Sequence, residues 1–96
     1  MKNHTSLKSL LFFSSHLTHF IFSQLGDRIL VNESKLGTLQ FCGTVEFAGG
    51  TWAGVELDEP DGKNDGTVNG ITYFTTEPGF GVMVPTNKIE KVWKEF

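Results

Sequence analysis

The residues best suited to chemistry lie in one short segment, Gly62-Lys63-Asn64-Asp65-Gly66. Its lysine offers an ammonium group, its asparagine an amide that both donates and accepts, and its aspartate a carboxylate. A glycine at each end allows the backbone to turn where a side chain would clash. Phe47 and Trp52 precede this loop and can supply an apolar floor. The combination predicts a surface that binds the end of another peptide chain.

The other candidate residues do not match any catalytic or metal-binding arrangement. All three histidines, His4, His16 and His19, precede residue 26, so the single Cys42 has no general base within the domain. One cysteine and these histidines do not give the ligand spacing of a closed zinc site. The sequence therefore predicts a protein that is not an enzyme and that holds no metal or cofactor.

Two loop motifs with known ligands also fail on spacing. A phosphate-binding P-loop requires Ser or Thr directly after its Gly-Lys pair, whereas Asn64 follows Gly62-Lys63. A calcium loop starting at Asp61 would have Lys63 at its third position and Thr72 at its twelfth. Those positions require an oxygen ligand and a bidentate glutamate. We therefore interpret the acidic residues near the loop as a solvated turn.

The charge distribution argues against a nucleic-acid partner. Lys2 and Lys8 are the only charged residues before residue 26, which leaves six basic and eleven acidic residues, a net charge of −5, for the remainder. Neutralising phosphates supplies most of the affinity for nucleic acid, and this requires a basic surface. The sequence therefore predicts no nucleic-acid binding.

Short apolar runs separated by turn residues predict an all-β domain. The expected strands are 28–31, 38–41 with a continuation through 43–47, 52–57, 71–74, 81–84 and 88–93. Gly43 is the expected kink or bulge of the second strand. The polar segment 58–70 is a long loop of the kind that often carries function. Several short strands at this spacing indicate a small barrel.

Residues 1–25 differ in composition from the rest of the chain. Their apolar runs are interrupted by Ser14-Ser15-His16 and by Thr18-His19, whereas a transmembrane helix needs about 20 mostly apolar residues. A signal peptide or anchor is the alternative, because Lys2 and Lys8 precede an apolar run, but no clear cleavage site follows. We interpret 1–25 as a leader outside the domain, helical or disordered, and we expect no membrane partner.

Residues 26–93 resemble a CAP-Gly domain, the cytoskeleton-associated glycine-rich module. The resemblance depends on blocks that occur in the expected order: Gly26-Asp27-Arg28-Ile29, Gly37-Thr38-Leu39-Gln40-Phe41, Phe47-Ala48 with Trp52, Gly54-Val55-Glu56-Leu57-Asp58, the loop 62–66, Tyr73-Phe74 and Gly81-Val82-Met83-Val84-Pro85. It implies a small SH3-like β barrel over 26–93, preceded by the leader 1–25 and followed by a tail of residues 94–96.

The resemblance also implies a function and a site. It implies binding of C-terminal tails ending in Glu-Glu-Tyr or Glu-Glu-Phe, with α-tubulin, end-binding proteins and cytoplasmic linker proteins as partners. The implied location is the cytoplasmic cytoskeleton, at microtubules, their plus ends or the centrosome. The peptide-binding residues are then expected to be Phe47, Trp52, Lys63, Asn64, Phe80, Gly81 and Met83, with Gly62, Asp65 and Gly66 shaping the loop.

Individual roles follow from the chemistry of such a tail. Its terminal ring requires an apolar slot, and its carboxylate and preceding glutamate require donors from Lys63, the Asn64 amide and the N–H groups of the loop. Asp65 is expected to brace the turn and not to contact the acidic ligand, because like charges repel. Tyr73 and Phe74 are assigned mainly to the core. Met83 stands where family members often carry phenylalanine, which predicts a looser slot.

Two further hypotheses concern the ends of the chain. In one, residues 1–25 direct the chain to secretion or to a membrane tether, and the domain does not bind tubulin. An aberrant truncated product is a variant of this hypothesis. In the other, Lys94-Glu95-Phe96 partly mimics the expected ligand and mediates weak self-association. A tail without a role is the alternative to that second hypothesis, because chain ends are commonly disordered.

Overall fold

The structure, a computed structural model, describes residues 24–93. The predictions for the leader 1–25 therefore lie outside the described residues, apart from Gln24 and Leu25. Those for Lys94, Glu95 and Phe96 lie outside them as well. Within residues 24–93, no helix has the length and apolar character that crossing a membrane requires.

Short strands account for most of the regular structure in residues 24–93. They are β1 (Arg28–Val31), β2 (Lys35–Gly43), β3 (Trp52–Leu57), β4 (Thr67–Val68), β5 (Ile71–Thr72), β6 (Gly81–Pro85) and β7 (Ile89–Lys91). A 3-10 turn at Thr86–Lys88 connects β6 to β7. The predicted all-β class is therefore confirmed.

The strands of the described segment form two antiparallel sheets. The larger sheet has the order β6-β3-β2-β1-β7, and β4 pairs with β5 in a separate hairpin. Within residues 24–93, the large sheet has β6 and β7 as its edge strands, and no ladder joins these two. The long connections between β2 and β3 and between β3 and β4 carry most of the residues that the sequence singled out as able to bind a ligand.

One face of the large sheet carries the hydrophobic core. Its members come from five strands and alternate along them with more exposed residues, as the pleat requires. The buried core residues are Ile29, Val31, Leu39, Ala53, Val55, Leu57, Val84 and Ile89. Gly37 allows β2 and β3 to approach closely, because a Cβ there would lie 2.5 Å from the Glu56 carbonyl oxygen. The sheet is thus a rigid support for the loops at its edge.

The irregularity of β2 lies at Gln40, so the predicted kink at Gly43 is wrong. Leu39 pairs with Val55 and Phe41 pairs with Gly54, which leaves Gln40 as an extra residue, whereas Gly43 keeps a regular pairing. Such a bulge changes the alternation of side chains. Leu39 therefore enters the core, and Phe41 lies on the opposite face over Gly54.

The strand predicted over 71–74 is shorter than expected. β5 ends at Thr72, because the backbone N–H groups of Tyr73 and Phe74 both donate to the Gly66 carbonyl oxygen, over 2.8 and 3.4 Å. Both aromatic residues are half-buried and lie outside the core cluster to which the sequence assigned them. The expected continuation through 44–47 and the full strand over 88–93 are also wrong, since β2 ends at Gly43 and β7 covers only Ile89–Lys91.

Candidate peptide-binding groove

The backbone of the loop 62–66 is fixed by hydrogen bonds to the segment that begins β6. Gly62 N–H donates to the Gly79 carbonyl over 2.7 Å, and the N–H groups of Lys63 and Asn64 donate to Gly81 over 2.8 and 3.0 Å. In return, the Asn64 carbonyl accepts from Gly81 over 2.8 Å. These loop N–H groups are therefore already bonded, and the expectation that they bind a ligand is wrong for them.

Two side chains of the loop close its turn from within. The Asn64 Oδ1 atom accepts a hydrogen bond from Gly66 N–H over 2.8 Å, and the Asp65 Oδ1 atom accepts one from Thr67 N–H over 3.0 Å. Gly66 has a φ of 101°, which disfavours any residue with a side chain. The Asn64 amide NH₂ takes no part in the bond to Gly66, so it is the donor that this side chain can offer to a ligand.

A cluster of four aromatic residues, Phe41, Phe47, Trp52 and Tyr73, lies beside the loop. Phe47 packs edge-on against Trp52 with ring centroids 5.0 Å apart and against Tyr73 with centroids 6.0 Å apart. Tyr73 also contacts Phe41 at 5.2 Å. The Trp52 indole N–H donates to the Gly49 carbonyl over 2.9 Å. This aromatic cluster therefore holds Phe47 from two sides.

A groove of about 630 Å³ lies between the loop 62–66 and the sheet. Its apolar lining residues are Val31, Phe47, Leu57, Val68, Val82, Met83 and Val84. Its charged lining residues are Lys35, Asp61 and Lys63, and the Lys35 ammonium donates to the Asp61 carbonyl over 3.2 Å. The groove thus places an apolar wall beside two lysines and one aspartate, and Lys63 is exposed to solvent.

The residues predicted from sequence fall into three groups. Phe47, Gly62, Lys63, Asn64 and Met83 line the groove together. Trp52 lies next to it, in contact with Phe47. The rest, which are Asp65, Gly66, Phe80 and Gly81, do not line the groove.

Phe80 and Gly81 act through their backbones. The Phe80 carbonyl accepts a hydrogen bond from Leu57 N–H over 2.7 Å, which attaches the end of β3 to the start of β6. Gly81 is buried, and a Cβ on it would lie 2.5 Å from the Asn64 Oδ1 atom. Position 81 therefore requires glycine for the loop to keep its shape.

Sequence reasoning missed several residues of this region, among them Lys35 and Tyr73. Lys35 begins β2, and only the β1–β2 hairpin brings it to the groove. Tyr73 follows β5, where the alternation of a strand indicated a core position. The signal available for both was their residue type, a cation and an aromatic ring with a polar end, but their neighbours are set by tertiary pairing.

Metal binding and thiol chemistry find little support in the described residues. Residues 24–93 contain no group of three or more His, Cys, Asp or Glu side chains that could hold a metal ion. Cys42 lies half-buried in β2, and this burial raises the pKa of its thiol. A raised pKa disfavours the nucleophilic thiolate at neutral pH.

The sheet and the glycine-bounded loop together define a small, glycine-rich, all-β domain. The family model described as "CAP-Gly domain" matches residues 25–89, and the chain belongs to that family. The resemblance noted from the sequence is thereby confirmed.

Curated relatives agree with this assignment. CAP-Gly domain-containing linker protein 3 of Xenopus laevis is 63% identical over 68 residues, which cover 71% of this chain and 13% of the relative. The human protein of the same name is 57% identical over 68 residues, 71% of this chain and 12% of the relative. Centrosome-associated protein 350 of Mus musculus is 46% identical over 72 residues, 75% of this chain and 2% of the relative. The matched segment thus spans about an eighth or less of the length of these relatives.

Solved structures show the same fold. The CAP-Gly domain in human Kinesin-like protein KIF13B has a TM-score of 0.71 at 37% identity, covering 76% of this chain and 73% of the other. The Bik1 CAP-Gly domain with an ETF peptide from Bim1 has a TM-score of 0.61 at 37% identity, covering 67% and 78%.

Proposed function

We propose that this domain is a non-enzymatic module that binds C-terminal tails ending in glutamate followed by tyrosine or phenylalanine. The observation that carries the proposal is the groove itself, in which Phe47 and Met83 provide an apolar wall beside the ammonium groups of Lys35 and Lys63. The terminal ring of such a tail is apolar, whereas its free carboxylate and the preceding glutamate are anionic. One groove thus offers both kinds of contact that this ligand needs.

The contacts proposed for each residue follow from its place. Phe47 and Met83 contact the terminal ring, with Trp52 supporting Phe47 from behind. Lys63 and the NH₂ group of Asn64 bind the carboxylate. Gly81 holds the loop in place, and Phe80 attaches the end of β3 to the start of β6. Gly62, Asp65 and Gly66 shape the loop through its turn. Lys35 provides a second cation for the preceding glutamate.

The partners and location are proposed from the relatives. A neighbour in fold was solved with an ETF peptide from Bim1, and these letters denote an acidic residue, a threonine and a phenylalanine. Relatives carry the names linker protein and centrosome-associated protein. We therefore propose tails of end-binding proteins, linker proteins or α-tubulin as partners, at the cytoplasmic cytoskeleton.

Affinity for a single tail is expected to be weak. Residues 26–96 carry a net charge of −5, so an acidic tail is not attracted over long range. Binding then depends on short-range contacts within the groove. Higher affinity in a longer protein would come from a second binding module, through effective concentration.

A fluorescence titration with a peptide ending in Glu-Glu-Phe tests the proposal. We expect saturable binding to the domain, no binding of the same peptide with an amidated C-terminus, and a loss of about three- to tenfold for Lys63→Ala. Lys88→Ala is the matched control, because Lys88 is also exposed but does not line the groove. Equal losses for both lysine variants, or no binding by the unaltered domain, would overturn the proposal.

A further inference from the structure

Tyr73 makes backbone and side-chain contacts with both sides of the groove. Its N–H donates to the Gly66 carbonyl over 2.8 Å, at the end of the loop that carries Lys63. Its hydroxyl accepts a hydrogen bond from Glu46 N–H over 3.0 Å, next to Phe47 in the β2–β3 connection. One half-buried residue therefore connects the loop 62–66, through its backbone, to the segment that bears Phe47, through its side chain.

The Tyr73 ring adds a second contact to the same segment. It packs at 85° against Phe47, with centroids 6.0 Å apart, and at 58° against Phe41, with centroids 5.2 Å apart. Phe41 is anchored in β2 and reaches this face because of the bulge at Gln40. Edge-to-face rings at these separations attract each other. Phe47 thus packs on a ring that is itself fixed to the sheet.

The β2–β3 connection needs such an anchor. Residues 44–51 lie outside the strands, and the neighbours Glu46 and Ala48 are exposed on either side of Phe47. A segment of this kind samples several conformations unless its backbone is bonded to a rigid part of the protein. The Tyr73 hydroxyl supplies a bond at the residue before Phe47.

We propose that Tyr73 is a positioning residue that holds Phe47 against the loop 62–66 and thereby sets the selectivity of the groove for a terminal aromatic residue. This inference rests on the proposed function. Tyr73 itself need not touch the ligand, because it acts through Phe47. The separation between the apolar wall and Lys63 then depends on the bond between the Tyr73 hydroxyl and Glu46.

The test compares Tyr73→Phe with Thr72→Val. Tyr73→Phe keeps the ring contacts and removes the hydroxyl, whereas Thr72→Val removes a neighbouring hydroxyl that contacts Thr67 at 2.8 Å in the β4–β5 hairpin. Each variant is titrated with peptides ending in Glu-Glu-Phe and Glu-Glu-Ala. We expect Tyr73→Phe to lower affinity for the phenylalanine peptide about three- to tenfold and to leave the alanine peptide nearly unchanged. Thr72→Val is expected to change neither affinity.

Selectivity separates positioning from general destabilisation. A variant that simply unfolds more often loses affinity for both peptides by the same factor. A displaced Phe47 instead lowers the affinity only for the peptide with a terminal ring. An equal loss of affinity for both peptides, or no loss for either, would overturn the inference.

Hydrogen exchange in the absence of peptide tests the bond directly. We expect the Glu46 amide to exchange at least about tenfold faster in Tyr73→Phe than in the unaltered domain. An unchanged Glu46 rate refutes the role of Tyr73 even when peptides bind. If instead no peptide binds while Glu46 exchange does respond, the proposed function fails and the connection between the two segments stands.

A second measurement serves if Tyr73→Phe does not fold. In the unaltered domain, the Glu-Glu-Phe peptide is expected to slow Glu46 exchange further, because a bound ring fixes Phe47. A peptide that binds without affecting the Glu46 amide would contradict the inference.

Discussion

At the residue scale, the proposed function gives the amide group of Asn64 two tasks. Its Oδ1 atom accepts a hydrogen bond from Gly66 N–H over 2.8 Å and so closes the turn. Its NH₂ group is on the side chain that lines the groove, where a carboxylate would bind. Loop shape and ligand binding therefore depend on different atoms of one residue, and substitutions can separate them.

Asn64→Asp and Asn64→Ala are expected to differ in stability, whereas both are expected to weaken binding. Aspartate keeps an acceptor for Gly66 N–H, whereas alanine removes it and lowers the free energy of unfolding by about 1 kcal/mol. Both substitutions remove the amide donor, and aspartate adds a negative charge. Both should therefore lower the affinity for the Glu-Glu-Phe peptide at least about tenfold. Urea unfolding and peptide titration provide the two measurements. An Asn64→Ala domain that binds normally would show that the amide is not a ligand donor.

At the element scale, the site is made by contacts between loops and strands that are distant in sequence. The runs that became β1, β3 and β6 were predictable, because each is a short segment rich in apolar residues and bounded by turn residues. The loop 62–66 was predictable from its glycines and polar residues. The position of Lys35 at the groove was not, since it depends on which strands pair and in what register.

The bulge in β2 shows why other features of the fold could not be predicted from the sequence. Gly43 was the obvious place for an irregularity, yet the extra residue is Gln40, whose side chain donates to Glu56 over 3.1 Å. The bulge lets Leu39 reach the core while Phe41 packs near Gly54, where an added Cβ would lie 3.0 Å from the Phe41 Cβ. Packing on both faces of the sheet decides this position, and local sequence does not contain that information.

The contact between β6 and the loop predicts a strict need for glycine at position 81. Gly81→Ala would place a methyl group 2.5 Å from the Asn64 Oδ1 atom, and the loop must move. We expect a loss of about 1–3 kcal/mol in the free energy of unfolding, as for other overpacked sites, together with weaker peptide binding. Gly49→Ala is the control, because a Cβ there meets no atom within 4 Å. Urea unfolding of both variants would show no difference if the loop is free to adapt.

At the scale of the whole molecule, an ion pair joins the first strand to the end of the third. Arg28 donates to the two carboxylate oxygens of Asp58 over 2.9 and 2.5 Å and to the Thr38 hydroxyl over 3.1 Å. The hydrogen bond from Arg28 lowers the pKa of Asp58, and the attraction between the charges adds to this effect. Both side chains are more than two-fifths exposed, so solvent and salt screen the pair.

This ion pair predicts a small loss of stability in acid. A carboxyl whose pKa is lower in the folded state stabilises the fold above its unfolded pKa of about 3.9, and the contribution disappears as the pH falls through the folded pKa. We expect Asp58→Asn to lower the free energy of unfolding by less than about 1 kcal/mol at neutral pH. The difference between the two proteins should shrink as the pH falls through the lowered folded-state pKa of Asp58. Denaturant unfolding across this range measures it, and a difference independent of pH would contradict the assignment.

The net charge of the domain predicts how fast a tail can bind. The charge of −5 on residues 26–96 repels an acidic peptide at long range, although Lys35 and Lys63 attract it within the groove. Salt screens the long-range repulsion, so the association rate should rise with ionic strength. The dissociation rate should also rise, because the same ions weaken the short-range lysine contacts.

Removing acids that do not line the groove should therefore speed association without affecting the bound state. Glu77 and Glu90 are exposed and do not line the groove. We expect the double variant Glu77→Gln, Glu90→Gln to associate about twofold faster than the unaltered domain at low salt, and equally fast at about 300 mM salt, where screening is nearly complete. Its dissociation rate should be unchanged, and the charge-neutral variant Asn87→Ser should match the unaltered domain throughout. Stopped-flow mixing with the Glu-Glu-Phe peptide measures both rates. An association rate that falls with salt would mean that the groove lysines govern the approach of the tail as well as its binding.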